Sequence, residues 1–184
     1  MIDPIELRTN RLLLRQFRSS DVDDVLVYRD DAEFSRYLPH IPQPFTRPDA
    51  EEFVARNIAG PWDEVPTFAV VLRDTVIGTV NLDVDRTHCI AMLGFAMSRA
   101  HWGKGLCSEA VRAAVAWGFE EFNLAKIWAT TDARNARSQR LMEKLGMQLE
   151  GRLRSHGCAR DGRTDKLCYG LLRVEERTRS HSFG

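Results

Sequence analysis

Trp102-Gly-Lys-Gly-Leu-Cys-Ser108 is the most informative stretch of this chain, because two glycines stand in a tight turn directly before an amphipathic helix pattern. Glycine lacks Cβ, so its backbone can adopt unusual φ/ψ values and approach a ligand closely. The free N–H groups of a helix's first turn and the positive end of its dipole favour a bound anion. The segment before the turn, Cys89 to Met97, is apolar and typical of a strand. This order predicts a cradle for phosphate, although a Gly-x-Gly turn alone more often marks a plain strand-to-helix connection.

The composition predicts one soluble globular domain. The chain has 184 residues, of which 43% are hydrophobic and 28% are charged, and this length allows a sizeable core. Its 26 basic side chains balance its 26 acidic ones, which removes a bulk electrostatic reason to bind nucleic acid or an anionic membrane. We expect a domain over residues 1–176 and a frayed polar tail over residues 177–184.

The sequence contains no targeting, membrane-spanning or metal-binding pattern. Its first residues have no basic lead into an apolar run, and a run of about eighteen apolar residues is absent. The four cysteines lack Cys-x-x-Cys spacing and the five histidines are scattered, so neither a metal site nor a disulfide framework is expected. We therefore expect a cytoplasmic protein with no metal, no nucleic-acid partner and no membrane partner.

Patterns along the chain predict a mixture of strands and helices. Strands are predicted at residues 11–18, 67–73, 76–84, 89–98, 126–131, 147–155 and 165–172. Helices are predicted to begin near Ser20, near Thr46, after Gly105 and after Asn135. Hairpin turns are predicted at Asp74-Thr75 and at Asp161-Gly162. The segment Tyr37 to Phe45 contains three prolines, which forbid a helix and remove backbone donors, and it is predicted to be a loop that could cover a site.

An ordered series of short motifs runs through the chain. In sequence order they are Arg11-Leu-Leu-Leu-Arg15, His101-Trp-Gly-Lys-Gly105, Asn135-Ala-Arg-Ser138, Glu143-Lys-Leu-Gly-Met147, Asp161-Gly162 and Leu171-Leu-Arg173. This series resembles the GNAT superfamily of acetyl-CoA-dependent N-acetyltransferases. It is most similar to the ribosomal-protein N-terminal acetyltransferase branch, of RimJ/RimL type. The likeness spans nearly the whole chain and is specific as an ordered series, whereas a single motif would carry little weight.

The resemblance implies a GNAT fold, in which a mixed α/β central sheet splays open between the fourth and fifth predicted strands, at residues 89–98 and 126–131, with helices on both faces. Acetyl-CoA would lie in that wedge, its pantetheine amides paired with the strand at Phe95, Ala96 and Met97. The pyrophosphate would rest on the amides of Gly103, Lys104, Gly105, Leu106, Cys107 and Ser108, next to Trp102 at the first position of the family's phosphate-binding motif. Asn135 would cap the next helix, contact the cosubstrate, or do both.

The resemblance also implies direct attack of a neutral amine on the acetyl thioester. The resulting oxyanion would accept a hydrogen bond from the backbone N–H of Phe95 or Met97. Many members protonate the departing thiolate with a tyrosine where this chain has Met142, and the RimJ/RimL branch is thought to use the serine of its Asn-x-x-Ser motif. Ser138 is therefore the candidate general acid and a further cosubstrate contact, or else an ordinary exposed helix serine. Candidate general bases, by position or by resemblance, are Glu33, Asp83, Asp85 and Asp165.

Some side chains have plainer interpretations. The helical spacing of Arg137, Arg140 and Lys144 favours a solvated stripe over a site for the extra phosphate of coenzyme A. Cys107 stands near a helix N-terminus, which lowers a thiol pKa, but its place beside pyrophosphate argues against a nucleophile. The scattered histidines are expected to have surface or packing roles.

The acceptor is predicted to be a protein N-terminus or a small-molecule amine. An α-amino group titrates near ~8 and a lysine near ~10.4, so an α-amine needs less help to lose its proton at neutral pH. A different class of function stays open, since a chain without the tyrosine could bind or sense coenzyme A with little catalysis. The sequence leaves monomer and homodimer equally open.

Overall fold

Eight strands of the described residues form one mixed sheet. The computed structural model of the protein describes residues 3–180, with side chains to residue 176. Its strands are β1 (Leu7–Arg8), β2 (Leu13–Arg15), β3 (Thr67–Leu72), β4 (Thr75–Asp85), β5 (Ile90–Met97), β6 (Lys126–Asp132), β7 (Gln148–Ala159) and β8 (Gly162–Leu172). Its α-helices are α1 (Val22–Arg29), α2 (Arg47–Ala59), α3 (Leu106–Glu121), α4 (Ala136–Leu145) and α5 (Arg173–Ser180). The spatial order is β1-β2-β3-β4-β5-β6-β8-β7.

Helices cover both faces of the sheet, as the predicted fold class requires. On one face α3 contributes Ala110, Val111 and Phe119 to a core that includes strand residues Leu82 and Ile127. On the other face α1 and α2 pack against β3 and β4, and Val25, Val54, Val71 and Val76 belong to that second core. Fully burying an apolar side chain of this size contributes about 1.5–3 kcal/mol. Two apolar layers thus fix the sheet between the helices.

The sheet opens where the sequence predicts. Strands β5 and β6 run parallel, and they pair only at Ile90 with Lys126, Ala91 with Ile127 and Met92 with Trp128. Beyond these pairs β5 stays on β4 as far as Met97, while β6 stays on β8 as far as Asp132. The two halves of the sheet therefore diverge and leave a wedge. Because β1 adds a strand at the start, β5 and β6 are the predicted fourth and fifth strands.

The N-terminal segment differs in detail from its prediction. The strand predicted over residues 11–18 covers only Leu13–Arg15, and it pairs with β1 in a hairpin. Ser20 does not cap α1, since it lies inside a short 3-10 helix, Ser19–Asp21, and α1 begins at Val22. The reason lies in Asp21, which is 3% exposed. Its carboxylate accepts hydrogen bonds from both terminal nitrogens of Arg15, each at 2.8 Å, and from the Arg18 backbone N–H at 2.8 Å. The buried ion pair between Arg15 and Asp21 therefore shapes this turn.

The other element ends are close to prediction. Helix α2 begins after Thr46, with reciprocal capping between Thr46 and Asp49. The first hairpin turn lies one residue earlier than predicted, because Leu72 pairs with Thr75 and the turn consists of residues 73 and 74 in left-handed conformation. The second hairpin is longer than predicted and turns between Ala159 and Gly162. Helix α5 includes backbone of residues 177–180, and residues 181–184 of the expected tail lie outside the described part.

Candidate active site

A cavity of about 580 Å³ occupies the wedge between β5 and β6. Ten of the twelve residues predicted to bind the cosubstrate line it. These are Phe95, Ala96, Met97, Trp102, Gly103, Gly105, Cys107, Ser108, Asn135 and Ser138. The other two, Lys104 and Leu106, do not line the cavity, because the Leu106 side chain turns into the core at 3% exposure and Lys104 is exposed. The buried side chain of Leu106 leaves only its backbone amide available to the cradle.

The glycine turn has the geometry of an anion site. Gly103 and Gly105 have φ values of 73° and 76°, a left-handed conformation that favours glycine. A Cβ built on Gly103 would meet nothing within 4 Å, so the turn faces open space. Helix α3 starts at Leu106 with no side-chain cap at Gly105. The first N–H groups of the helix consequently have no partner in the helix or the cap, and the turn fits a diphosphate.

The open edge of β5 presents backbone groups to the wedge. The Ser98 N–H donates to the Ile77 carbonyl of β4 at 2.7 Å. Because backbone N–H groups alternate between the two edges of a strand, those of Phe95 and Met97 face the wedge. The Trp102 indole donates to the Met97 carbonyl at 2.7 Å. The strand thus offers the N–H groups of both predicted oxyanion donors, and the indole occupies one of its acceptors.

The start of α4 borders the same cavity. The Asn135 side chain accepts the Ser138 N–H at 3.2 Å, so the expected capping role is present. Ser138 is half-buried and lines the cavity. Arg137 is exposed, but its guanidinium lies 4.4 Å from the centre of the Trp102 ring. Arg137, Arg140 and Lys144 all line the cavity, so the stripe expected to be solvated borders the site as well.

The loop after α1 forms another wall of the cavity. The residues of this wall are Glu33, Phe34, Tyr37 and Leu38. Of the loop predicted to cover a site, residues 37–45, only Tyr37 and Leu38 line the cavity, and the other two lining residues precede that loop. Among the four candidate bases, Glu33 alone lines the cavity. Its two carboxylate oxygens lie 3.4 Å from Arg137 Nη1 and 3.5 Å from Arg36 Nη1.

The other three candidate bases lie away from the cavity. Asp83 is exposed on β4. Asp85 binds His88 at 2.7 Å, and this hydrogen bond lowers the pKa of the Asp85 carboxyl. Asp165 accepts the Ser155 N–H at 2.7 Å, which lowers its pKa, and Arg152 adds to the effect. The lowered pKa values make Asp85 and Asp165 weaker bases. None of the three carboxylates lines the cavity, whereas Glu33 does.

Arg134, which the sequence analysis did not select, connects the loop after α1, the end of β6 and the β7–β8 turn. Its guanidinium binds Asp132 at 3.1 Å and Asp161, in the β7–β8 turn, at 2.7 Å. Its carbonyl accepts the Tyr37 hydroxyl at 3.3 Å. Burial opposes ionisation of Asp132, but hydrogen bonds from Arg134 outweigh it and the pKa of Asp132 is lowered. The sequence signals for this network were two acidic residues, Asp132 directly after a predicted strand and Asp161 in a predicted hairpin turn.

Two further lining residues have altered pKa values. Burial raises the pKa of the Cys107 thiol to about 12, so Cys107 stays a neutral thiol, in agreement with its predicted non-nucleophilic role. Burial and the nearby Lys104 lower the pKa of His101, whose buried Nδ1 has no hydrogen-bond partner in the described part of the chain. A neutral imidazole with a free nitrogen is suited to a polar group of a ligand.

Residues 3–180 contain neither a metal-binding cluster nor a membrane-spanning helix. Among these residues no cluster of three or more His, Cys, Asp or Glu side chains is placed to hold a metal ion. No described helix is long and apolar enough to cross a membrane.

A mixed sheet that splays between two parallel strands, with an open glycine turn before the helix at its mouth, is the architecture expected of an acyltransferase that takes its acyl group from coenzyme A. The chain belongs to the acetyltransferase (GNAT) domain family, which matches residues 11–148. Members of this family use acetyl-CoA, and the protein is an acetyltransferase.

Individual relatives agree along nearly the whole chain. The chain is 31% identical over 172 residues to the uncharacterized N-acetyltransferase p20 of Bacillus licheniformis, covering 92% of this chain and 97% of the relative. It is 33% identical over 175 residues to the uncharacterized N-acetyltransferase YnaD of Bacillus subtilis (strain 168), covering 93% and 99%. A GNAT-family acetyltransferase crystal structure from Bacillus anthracis matches with a TM-score of 0.83 at 28% identity, covering 93% of this chain and 100% of that chain. These likenesses support N-acetyltransferase activity, and none of the three names states an acceptor.

Proposed function

We propose that this protein transfers the acetyl group of acetyl-CoA to a primary amine by direct attack, with both substrates held in one cavity. The observation that carries the proposal is the continuity of that cavity. It joins the glycine cradle and the open edge of β5 to the loop that bears Glu33 and Tyr37. One end suits a diphosphate, and the other leaves room for a second molecule beside the reacting carbonyl.

Each lining element has a separate task in this proposal. The amides of residues 103–108 hold the pyrophosphate of acetyl-CoA, which supplies the activated acetyl thioester. The N–H of Phe95 or Met97 donates to the carbonyl oxygen as negative charge develops on it. The Asn135 cap fixes the first turn of α4 and so orients Ser138. Ser138 lies one turn before the buried Met142, on the same side of the helix, and its hydroxyl donates a proton to the departing sulfur.

The acceptor in this proposal is a protein N-terminal α-amine, in keeping with the RimJ/RimL-like motif series, and a small-molecule amine is the alternative. In this proposal Glu33, which lines the cavity and forms ion pairs with two arginines, binds the acceptor amine. An α-amine titrating near ~8 is partly neutral at physiological pH, so a modest hydrogen-bond acceptor such as Glu33 suffices. The cytoplasmic location and the choice between monomer and homodimer stay predictions.

Acetyl-CoA is expected to raise the Tm of the protein. A ligand that binds only the folded state at a hundred times its Kd stabilises it by about 2.7 kcal/mol, which corresponds to roughly 5–10 °C for a chain of this size. Differential scanning fluorimetry with acetyl-CoA, and with a nicotinamide dinucleotide as a second diphosphate ligand, measures this directly. A shift with the dinucleotide and none with saturating acetyl-CoA would refute acetyl-CoA as the ligand of this protein.

The acceptor is tested by thiol release. Purified protein and acetyl-CoA are mixed with peptides that have free N-termini, with the same peptides N-acetylated, and with small amines, and free coenzyme A is followed with a thiol reagent. Release with free peptides and not with their acetylated copies supports an N-terminal acceptor. Release with small amines alone moves the acceptor to that class. Binding of acetyl-CoA without release on any amine contradicts the proposed transfer and favours a coenzyme A-binding module.

A further inference from the structure

We propose that Arg11 is a positioning residue for the phosphate cradle, holding the glycine turn in shape and neutralising a carboxylate at the mouth of the anion site. The inference rests on the proposed function in one respect, that the cradle takes the diphosphate of coenzyme A. Arg11 does not line the cavity and so would touch no substrate.

The Arg11 side chain joins the two halves of the cradle. Its Nη1 donates to the Lys104 carbonyl, between the two left-handed glycines, at 3.0 Å. Its Nε donates to Glu109, in the first turn of α3, at 2.7 Å, and its Nη2 lies 2.6 Å from the same carboxylate. One planar guanidinium therefore fixes the turn relative to the helix that follows, and a lysine ammonium lacks this fork geometry.

The bond to Lys104 also orients an amide of the cradle. In a trans peptide the carbonyl and the following N–H point in opposite directions. Because Arg11 holds the Lys104 carbonyl on its own side, the Gly105 N–H points to the other side, away from Arg11. Gly105 lines the cavity. Arg11 thus aims one of the N–H groups that would meet the diphosphate.

Charge gives a second reason for Arg11. Glu109 is favourable to the dipole of α3 because it lies in the first helical turn. The same helix end must accept an anion, which a free carboxylate there would repel. Burial opposes ionisation of Glu109, but donors from Thr9 and Arg11 outweigh it, so its pKa is lowered and it stays charged. Arg11 supplies the compensating positive charge.

The N-terminal hairpin holds Arg11 in place from its other end. The Glu109 carboxylate accepts the Arg11 backbone N–H at 2.9 Å and the Thr9 hydroxyl at 2.6 Å. The Thr9 hydroxyl oxygen also accepts the Leu12 N–H at 3.0 Å. The turn between β1 and β2 is therefore docked on α3, which gives the first arginine of the Arg-Leu-Leu-Leu-Arg motif a role at the distant cradle.

The test compares two acetyl donors in three variants. Arg11→Met removes the guanidinium and keeps a long apolar chain, Arg11→Lys keeps the charge without the fork, and Arg8→Met is the matched control. Arg8 lies in the same hairpin, is exposed and forms an ion pair with the exposed Glu6 at 3.2 Å. The donors are acetyl-CoA and acetyl-pantetheine, which lacks the diphosphate. Circular dichroism and Tm report folding of each variant, and calorimetry gives the Kd for coenzyme A.

We expect Arg11→Met to raise the Kd for coenzyme A and the KM for acetyl-CoA about tenfold with little change in kcat. With acetyl-pantetheine its kcat/KM should equal that of the parent. The Kd and KM of Arg11→Lys should lie between those of the parent and those of Arg11→Met. The Arg8→Met variant should match the parent with both donors. An equal loss with both donors, or an unchanged Kd in folded Arg11→Met, overturns the positioning role. Failure of the parent itself to bind coenzyme A refutes the proposed function instead.

Because the double variant Arg11→Met/Glu109→Gln removes the repelling carboxylate together with its partner, it isolates the charge effect. It should bind coenzyme A severalfold more tightly than Arg11→Met alone. Equal or weaker binding of the folded double variant would overturn the charge compensation.

Discussion

Replacing Gly105 with valine is expected to weaken acetyl-CoA binding on the order of a hundredfold or more. Gly105 has φ of 76° and is the residue before the first turn of α3, and a β-branched side chain strongly disfavours this conformation. Relaxation of the backbone would turn the amides of the cradle away from the diphosphate. Each hydrogen bond to a charged group contributes about 1.5–3 kcal/mol, so losing one or two accounts for the expected change. Calorimetry with coenzyme A is the direct measurement.

Gly146→Val is the matched control for that experiment. Gly146 has φ of 89° at the end of α4, so valine there meets the same backbone strain without entering the cavity. Both variants should lose stability, by about 1–3 kcal/mol for a strained residue, but only Gly105→Val should lose the ligand. Parent-like affinity in folded Gly105→Val would show that the diphosphate does not lie on this turn.

The features that the sequence predicted well are those written in consecutive residues. The glycine turn before α3 needs only residues 102–108, and its dihedral angles follow from the two glycines themselves. The capping of α2 by Thr46 and Asp49 is similarly local. The position of the splay came from the resemblance, and the register of β5 with β6 confirms it. Local chemistry therefore accounted for the cradle, and the ordered motifs accounted for the fold around it.

The features that the sequence did not reveal are pairings between distant residues. Arg134 binds Asp161, and Arg11 binds Glu109, yet neither separation has a local periodicity from which a contact could be inferred. The buried pair of Arg15 with Asp21 likewise displaced the predicted helix start, because a buried charge requires its partner whatever the local capping preference. The fold uses these charged residues to connect segments that are distant in sequence.

The difference between local motifs and pairings of distant residues explains why the acceptor is harder to predict from the sequence than the cosubstrate. The loop after α1 and the end of β6 line the cavity, and Tyr37, Arg134 and Asp161 connect these two segments to the β7–β8 turn. We expect selectivity for the acceptor to depend on how these three segments meet, whereas the proposed diphosphate site depends on one turn. The cosubstrate is thus readable from a short stretch, and the acceptor requires the thiol-release experiment.

Ser138→Ala is the second change with a large expected effect. Alanine favours a helix more than serine does, and the Asn135 cap uses the backbone N–H of residue 138, which the variant keeps. The fold should therefore survive, and Tm should stay the same or rise slightly. If the hydroxyl protonates the departing sulfur, kcat should fall on the order of a hundredfold, within the range of general acid catalysis.

The kinetic pattern distinguishes chemistry from binding. A group that acts in the transition state lowers kcat and kcat/KM together with little change in the Kd for acetyl-CoA, whereas a mere contact raises the Kd and leaves kcat in place. Ser138→Thr keeps a hydroxyl and should retain most of the activity. Gln139→Ala removes the neighbouring side chain, which donates to the Ala133 carbonyl at 2.9 Å outside the cavity, and controls for disturbance of the first turn of α4. Parent-like kinetics in Ser138→Ala would exclude the serine as acid and leave water as the proton source for the thiolate.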